Sequence, residues 1–177
     1  MSLIEKEFKD GENKYWFFRK QQKNLHNIDT FYYSIMLQND FIDSTDQNVS
    51  DFLQDLNGFK IRCLESNQVY GDIYTTFDPV GFRCPDNLVY AIGKGNYAHI
   101  YNHVISCPDT YDIYIASSVP NSDTPQIVVQ IRSKELWLQG VNSIYKRSFD
   151  AVTRICNFYH LNIKDCLLYT SDAADEL

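Results

Sequence analysis

Glycine and proline are scarce here, seven and five in 177 residues, which excludes collagen-like and low-complexity chains. No apolar run approaches the roughly 18 residues that a membrane span requires. The opening Met1-Ser2-Leu3-Ile4-Glu5-Lys6 lacks the cationic-then-apolar order of a secretory leader. Leaving aside Cys166 near the C-terminus, the cysteines at 63, 84, 107 and 156 contain no C-x-x-C pair, which argues against a zinc ribbon or a thioredoxin-type site. They read as small buried hydrophobes in a reducing compartment. Basic charge is short too, with 16 Lys and Arg against 23 Asp and Glu, so the chain lacks the overall positive balance of many nucleic-acid binders.

Hydrophobic residues are plentiful at 44%, and 13 Tyr and 11 Phe make the chain aromatic-rich. That is enough apolar surface for a packed core, and Tyr and Phe favour strands. The expectation is a cytoplasmic α+β protein with a mostly antiparallel sheet and helices packed on one face, cut off before the sheet is complete.

Residues 1–27 read as a polar N-terminal arm. Its Lys14-Tyr15-Trp16-Phe17-Phe18-Arg19-Lys20 run interleaves bases with aromatics, which suits either a clamp on single-stranded nucleic acid or a short amphipathic element docked on the core. From Asp29 the pattern has period two. Phe31, Tyr33, Ile35 and Leu37 share one face of a strand, with Tyr32, Ser34 and Met36 on the other. Ser50 reads as the cap of a helix that carries Phe52, Leu53 and Leu56 and ends at Gly58. Strands are expected over 69–77 and 88–92. Gly93-Lys94-Gly95-Asn96 suits a hairpin turn and lacks the G-x-x-x-x-G-K pattern of a phosphate loop.

Residues 97–105 fit a helical stripe or a strand face equally. His99 and His103 lie four apart, a spacing compatible with a metal pair, but the Glu of the metalloprotease motif is missing, and surface or edge histidines are the plainer reading. Residues 111–117 and 126–133 read as an antiparallel pair. In the second, Ile127, Val129 and Ile131 face the core, so Gln126, Gln130 and Arg132 share the other face, with Gln130 and Arg132 about 7 Å apart by strand rise. A last helix, capped by Ser148, carries Phe149, Val152, Ile155, Cys156 and Tyr159 on its buried stripe. A strand returning to the sheet would come next, and the chain is expected to be cut there.

Cys166 to Leu177 resembles the translation of a transposase-type sequencing adapter, so residues 166–177 are expected to be a non-native tail outside the fold. Charge over the remaining chain is uneven. Residues 40–125 hold four bases against twelve acids, a net −8, while residues 126–165 hold six against three, a net +3.

The run Gln126-Ile127-Val128-Val129-Gln130-Ile131-Arg132-Ser133, then Leu136-Trp137-Leu138 and the following helix, resembles the middle of the replication initiation factor family. These are rolling-circle plasmid and phage initiators and the related relaxases of conjugative mobile elements. Asp29-Thr30-Phe31-Tyr32-Tyr33-Ser34 is similar to that family's opening strand, and Val119-Pro120-Asn121-Ser122 with Thr124-Pro125 to its mid-domain loop. The resemblance covers residues 28–165, the N-terminal part of the nicking domain. It implies an endonuclease whose tyrosine attacks a DNA phosphodiester with the help of a divalent Mg or Mn ion. The resemblance matches Gln130 to a metal-binding acid of the family, and Arg132 with Lys134 to contacts on DNA phosphate. The nucleophile and a second acid are expected beyond residue 165, so this fragment should not nick by itself. The implied partners are origin DNA, single-stranded or in a hairpin, and no membrane, with a second copy of the chain as a further candidate. The alternative is a non-catalytic DNA- or protein-binding α+β domain of a mobile genetic element, in which Gln130 marks lost metal binding.

Overall fold

A computed structural model describes residues 28–42, 45–70, 73–92 and 99–172. The arm with its Lys14–Lys20 run, the proposed turn at 93–96 and Tyr97 lie outside the described residues.

The period-two stretch forms β1 (Ile28–Leu37), and Phe31, Tyr33, Ile35 and Leu37 are buried as its alternation requires. Helix α1 (Gln47–Tyr70) follows. It begins earlier and runs further than the sequence suggested. Asp46 rather than Ser50 is its cap, its carboxylate accepting the N–H of Asn48 at 2.9 Å and of Val49 at 3.4 Å. Gly58 does not end the helix, because its surroundings are open and its φ is not left-handed. A glycine inside a helix costs about 1 kcal/mol, and the turns beyond it bury Phe59 and Cys63, which outweighs that cost. The helix thereby absorbs Val69, so the strand expected over 69–77 shrinks to β2 (Tyr74–Thr76).

β3 (Val89–Ala91), β4 (His103–Cys107), β5 (Tyr111–Ile115) and β6 (Ile127–Ile131) continue as a meander. The ambiguous stretch resolves as turn and then strand: His99 and Ile100 lie in a turn and β4 starts at His103. Helix α2 (Ser133–Gln139) was not foreseen. Gly140, at φ +79°, breaks it from α3 (Val141–Phe158). Ser148 is therefore not a cap but a buried residue in the middle of α3, its hydroxyl 3.0 Å from the Tyr145 carbonyl and 2.9 Å from the Tyr33 hydroxyl.

The returning strand, which the sequence reading expected to be cut off, is present as β7 (Ile163–Asp172). It pairs antiparallel along β1, from Leu37 opposite Ile163 to Ile28 opposite Asp172. Residues 166–172 thus lie in the sheet rather than outside the fold. Backbone pairing is largely indifferent to side-chain identity, so this placement says nothing of their origin.

The result is an open seven-stranded antiparallel sheet in the order β2-β3-β4-β5-β6-β1-β7. It is an α+β fold. The inward sides of β1, β4, β5 and β6 pack against α1 and α3, which touch each other where the Phe52 and Tyr159 rings lie 4.7 Å apart. Tyr33 stacks edge-on to Tyr145 at 5.0 Å, and Tyr159 donates to Asp55 at 2.9 Å, tying the end of α3 to α1. Among the described residues no helix is long and apolar enough to cross a membrane.

Candidate nucleic-acid interface

Strand alternation decides which side chains reach the sheet face away from the helices. With Ile127, Val129 and Ile131 of β6 buried in the core, Gln130 must point the other way. The register then lines up four strands at one level: Tyr32 of β1 faces Gln130, Gln130 faces Asp112 of β5, and Asp112 faces Ser106 of β4. This is a polar row crossing a sheet whose other side is apolar. In the adjacent row the Tyr114 hydroxyl reaches Gln130 Oε1 at 3.4 Å, a diagonal contact between neighbouring strands.

Asp112 is the centre of the row. It is buried, and both of its oxygens are engaged. Ser106 Oγ donates to Oδ1, and Arg132 Nη2 donates to Oδ2 at 2.7 Å. The pair compensates a carboxylate that would otherwise be costly inside the fold. Arg132 follows directly on β6, with its N–H on the Thr110 carbonyl at 3.0 Å. Its side chain is 36% exposed, while its Nε–H is buried and has no acceptor among the described residues. Burial, and after it the Asp112 charge, pushes the Tyr114 phenol above its ordinary range, with Arg132 opposing.

The sequence reading placed Gln130 and Arg132 on one face, and the structure does so. Lys134 stands exposed on the first turn of α2, beside them in the chain. Gln126 does not join that polar row. It is buried, and its Oε1 accepts the Leu37 N–H at 2.8 Å, satisfying the backbone where β1 ends. The histidines separate as well. His99 is exposed in its turn, whereas His103 is buried on the helix side with Nδ1 2.8 Å from the Tyr90 hydroxyl. Burial, and then the charge of Lys60, lowers the His103 pKa to about 4. They do not form a metal pair.

Asp112 is the residue that sequence reasoning missed. The alternation of Tyr111-Asp112-Ile113-Tyr114-Ile115 already put Asp112 and Tyr114 on one face, and an acid inside so apolar a strand was the signal. What alternation could not supply was the register that sets Asp112 opposite Gln130.

Mg²⁺ takes oxygen ligands, typically one or two carboxylates completed by water and substrate phosphate. Gln130 offers an uncharged amide oxygen, and Asp112 offers a carboxylate already committed to Arg132 and Ser106. Among the described residues no three His, Cys, Asp or Glu side chains gather. These residues do not fit a cation site. The phenols of Tyr33, Tyr90, Tyr111, Tyr145 and Tyr159 are pushed upward chiefly by burial, the opposite of what an attacking tyrosine needs near neutral pH.

Comparison with protein-family models, with curated proteins and with solved structures finds nothing that matches this chain.

Proposed function

We propose that this chain is the DNA-binding portion of a rolling-circle replication initiator or related relaxase of a mobile genetic element. It holds DNA at the end of β6 and the start of α2 without cutting it. The observation that carries the reading is Arg132. The buried Asp112 holds this guanidinium from one side and leaves it partly open to solvent beside the exposed Lys134. An arginine fixed in this way has lost little further freedom when a phosphate arrives, and guanidinium suits bidentate phosphate contact.

Binding is favoured over catalysis by the donor set itself. One committed carboxylate and one amide do not hold a cation, and the buried tyrosines do not make a nucleophile. On this reading the metal and the attacking tyrosine of a nicking reaction belong to other parts of a longer protein. The reading rests on the family resemblance of residues 28–165 together with the Arg132 geometry.

The test is fluorescence anisotropy of labelled single-stranded, hairpin and duplex oligonucleotides titrated with the full chain across a range of salt. Salt-dependent binding that weakens in R132A and K134A supports the proposal. Binding to none of the three substrates at low salt would end it. Covalent protein–DNA adducts on supercoiled DNA with Mg²⁺ or Mn²⁺ would overturn the non-cutting part.

A further inference from the structure

Helix α2 carries three large apolar residues in a row, Leu136, Trp137 and Leu138, and buries just one of them. Leu136 enters the core, while Trp137 is 55% exposed and Leu138 is 68% exposed. On a helix, residues three and four apart share a face, so Lys134 lies on the same side as Trp137 and Leu138. Arg132 immediately precedes the helix and is anchored on Asp112. From Arg132 to Phe149 the chain holds four bases, Arg132, Lys134, Lys146 and Arg147, against the single acid Glu135. That acid accepts a hydrogen bond from Gln139 within the same helix. Arg132 and Arg147 are held by Asp112 and Asp86, so Lys134, exposed on the side of α2 that carries Trp137, is the cation set beside the solvent-facing indole.

We propose that Trp137 is a stacking platform for an unpaired base, with Lys134 and Arg132 holding the phosphates on either side. The inference rests on the DNA-binding reading above and narrows it: the ligand is single-stranded nucleic acid, and the register along it is fixed by a ring rather than by base-edge hydrogen bonds. A cationic strip beside an exposed aromatic ring is the combination that single-strand binders use, because every base has a π-face to stack while the phosphates supply salt-dependent attraction. Duplex DNA keeps its bases stacked on each other, so the ring gives it no comparable advantage. A second apolar residue beside the ring, Leu138, suits the edge of a base or sugar.

The chain has two tryptophans, Trp16 and Trp137, so W16F leaves Trp137 as the sole indole fluorophore. Titration of full-length W16F with oligo(dT) should quench its emission, and a duplex of equal length should quench it much less. W137A should bind oligo(dT) roughly ten-fold more weakly with an unchanged salt slope, and W137F should recover most of the loss. K134A should instead lower the slope. Because Trp137 is exposed, W137A should melt like the parent, which separates lost stacking from lost folding. Equal affinity of W137A and the parent for oligo(dT), with DNA binding otherwise intact, would overturn the stacking platform and leave the DNA-binding reading standing. Failure of the parent to bind any oligonucleotide would remove both. A blue shift of Trp137 emission on anionic vesicles, without quenching by oligo(dT), would reassign the ring to a membrane surface and overturn the proposal.

Discussion

Two carboxylates on opposite faces of one sheet are held in almost the same way and do different work. Asp86 lies on the helix side, where it accepts Arg147 Nε at 2.8 Å and the Tyr111 hydroxyl at 2.5 Å. Asp112, one residue along β5 from Tyr111, lies on the other side and accepts Arg132 and Ser106. Asp112 is buried and Asp86 half-buried, and each meets an arginine and a hydroxyl. The difference is in what the partners belong to. Asp86 joins three separated pieces of chain, the loop before β3, strand β5 and helix α3, so its bonds span long stretches of sequence. Asp112 joins neighbours in the sheet and the residue that ends β6, so its bonds orient one side chain more than they assemble the fold. A charge cluster tells little about function until its partners are placed.

The largest effect should come from breaking the helix-side cluster. D86A strands Arg147 and the Tyr111 hydroxyl without their acceptor, and loss of one partner of a buried pair costs several kcal/mol. Arg147 is 39% exposed, so water recovers part of that. Denaturant unfolding should show a loss of roughly 3 kcal/mol, with oligonucleotide affinity unchanged under conditions where the variant is folded. Reduced affinity in folded D86A would mean that the two clusters are not separable.

The helix side also holds a buried base. His103 has a pKa lowered to about 4, against about 6.5 in an unfolded chain. The unfolded state therefore binds the proton first as the pH drops, and stability falls between pH 6.5 and 4, levelling off below. The penalty over that window is roughly 2–3 kcal/mol. Carboxylates add their own acid loss, so the diagnostic is the difference between parent and H103N: the variant should unfold with a shallower dependence between pH 6.5 and 4. Identical slopes would show that His103 is already protonated or open to water.

S106A sharpens the comparison from the other face. It removes one donor to Asp112 and leaves Arg132 in place, so a loss near 1 kcal/mol is expected in denaturant unfolding, smaller than for D86A. A loss as large as that of D86A would make the Asp112 cluster equally structural.

Much of this arrangement was legible before any coordinates. Period-two alternation gave β1 and β6 with their correct inward faces, because a one-residue slip would expose an entire apolar set, and β5 was read as the antiparallel neighbour of β6. It put Gln130 and Arg132 on the outer face for the same reason. Local rules failed where tertiary packing outweighed them. Gly58 looked like a stop, yet Phe59 and Cys63 beyond it find the core. Ser148 looked like a cap, yet its hydroxyl finds Tyr33 on another element. Asp112 was invisible as a partner because antiparallel register between β5 and β6 depends on a long connecting loop, whose length does not fix which residues meet.

The smallest effect is the most informative about Arg132. R132K keeps the positive charge but loses the planar fork that meets Asp112 and a phosphate together. R132A loses the charge as well. If Arg132 contacts a phosphate, R132A should lower the salt slope of single-strand binding by about 0.7, the contribution of one neutralised phosphate. R132K should leave the slope near the parent's while weakening affinity a few-fold through poorer geometry. The two variants separate charge from shape at one position. Equal slopes in all three proteins would make Arg132 a structural counter-ion for Asp112, the outer-face equivalent of Arg147, and the two carboxylates would then differ in location alone.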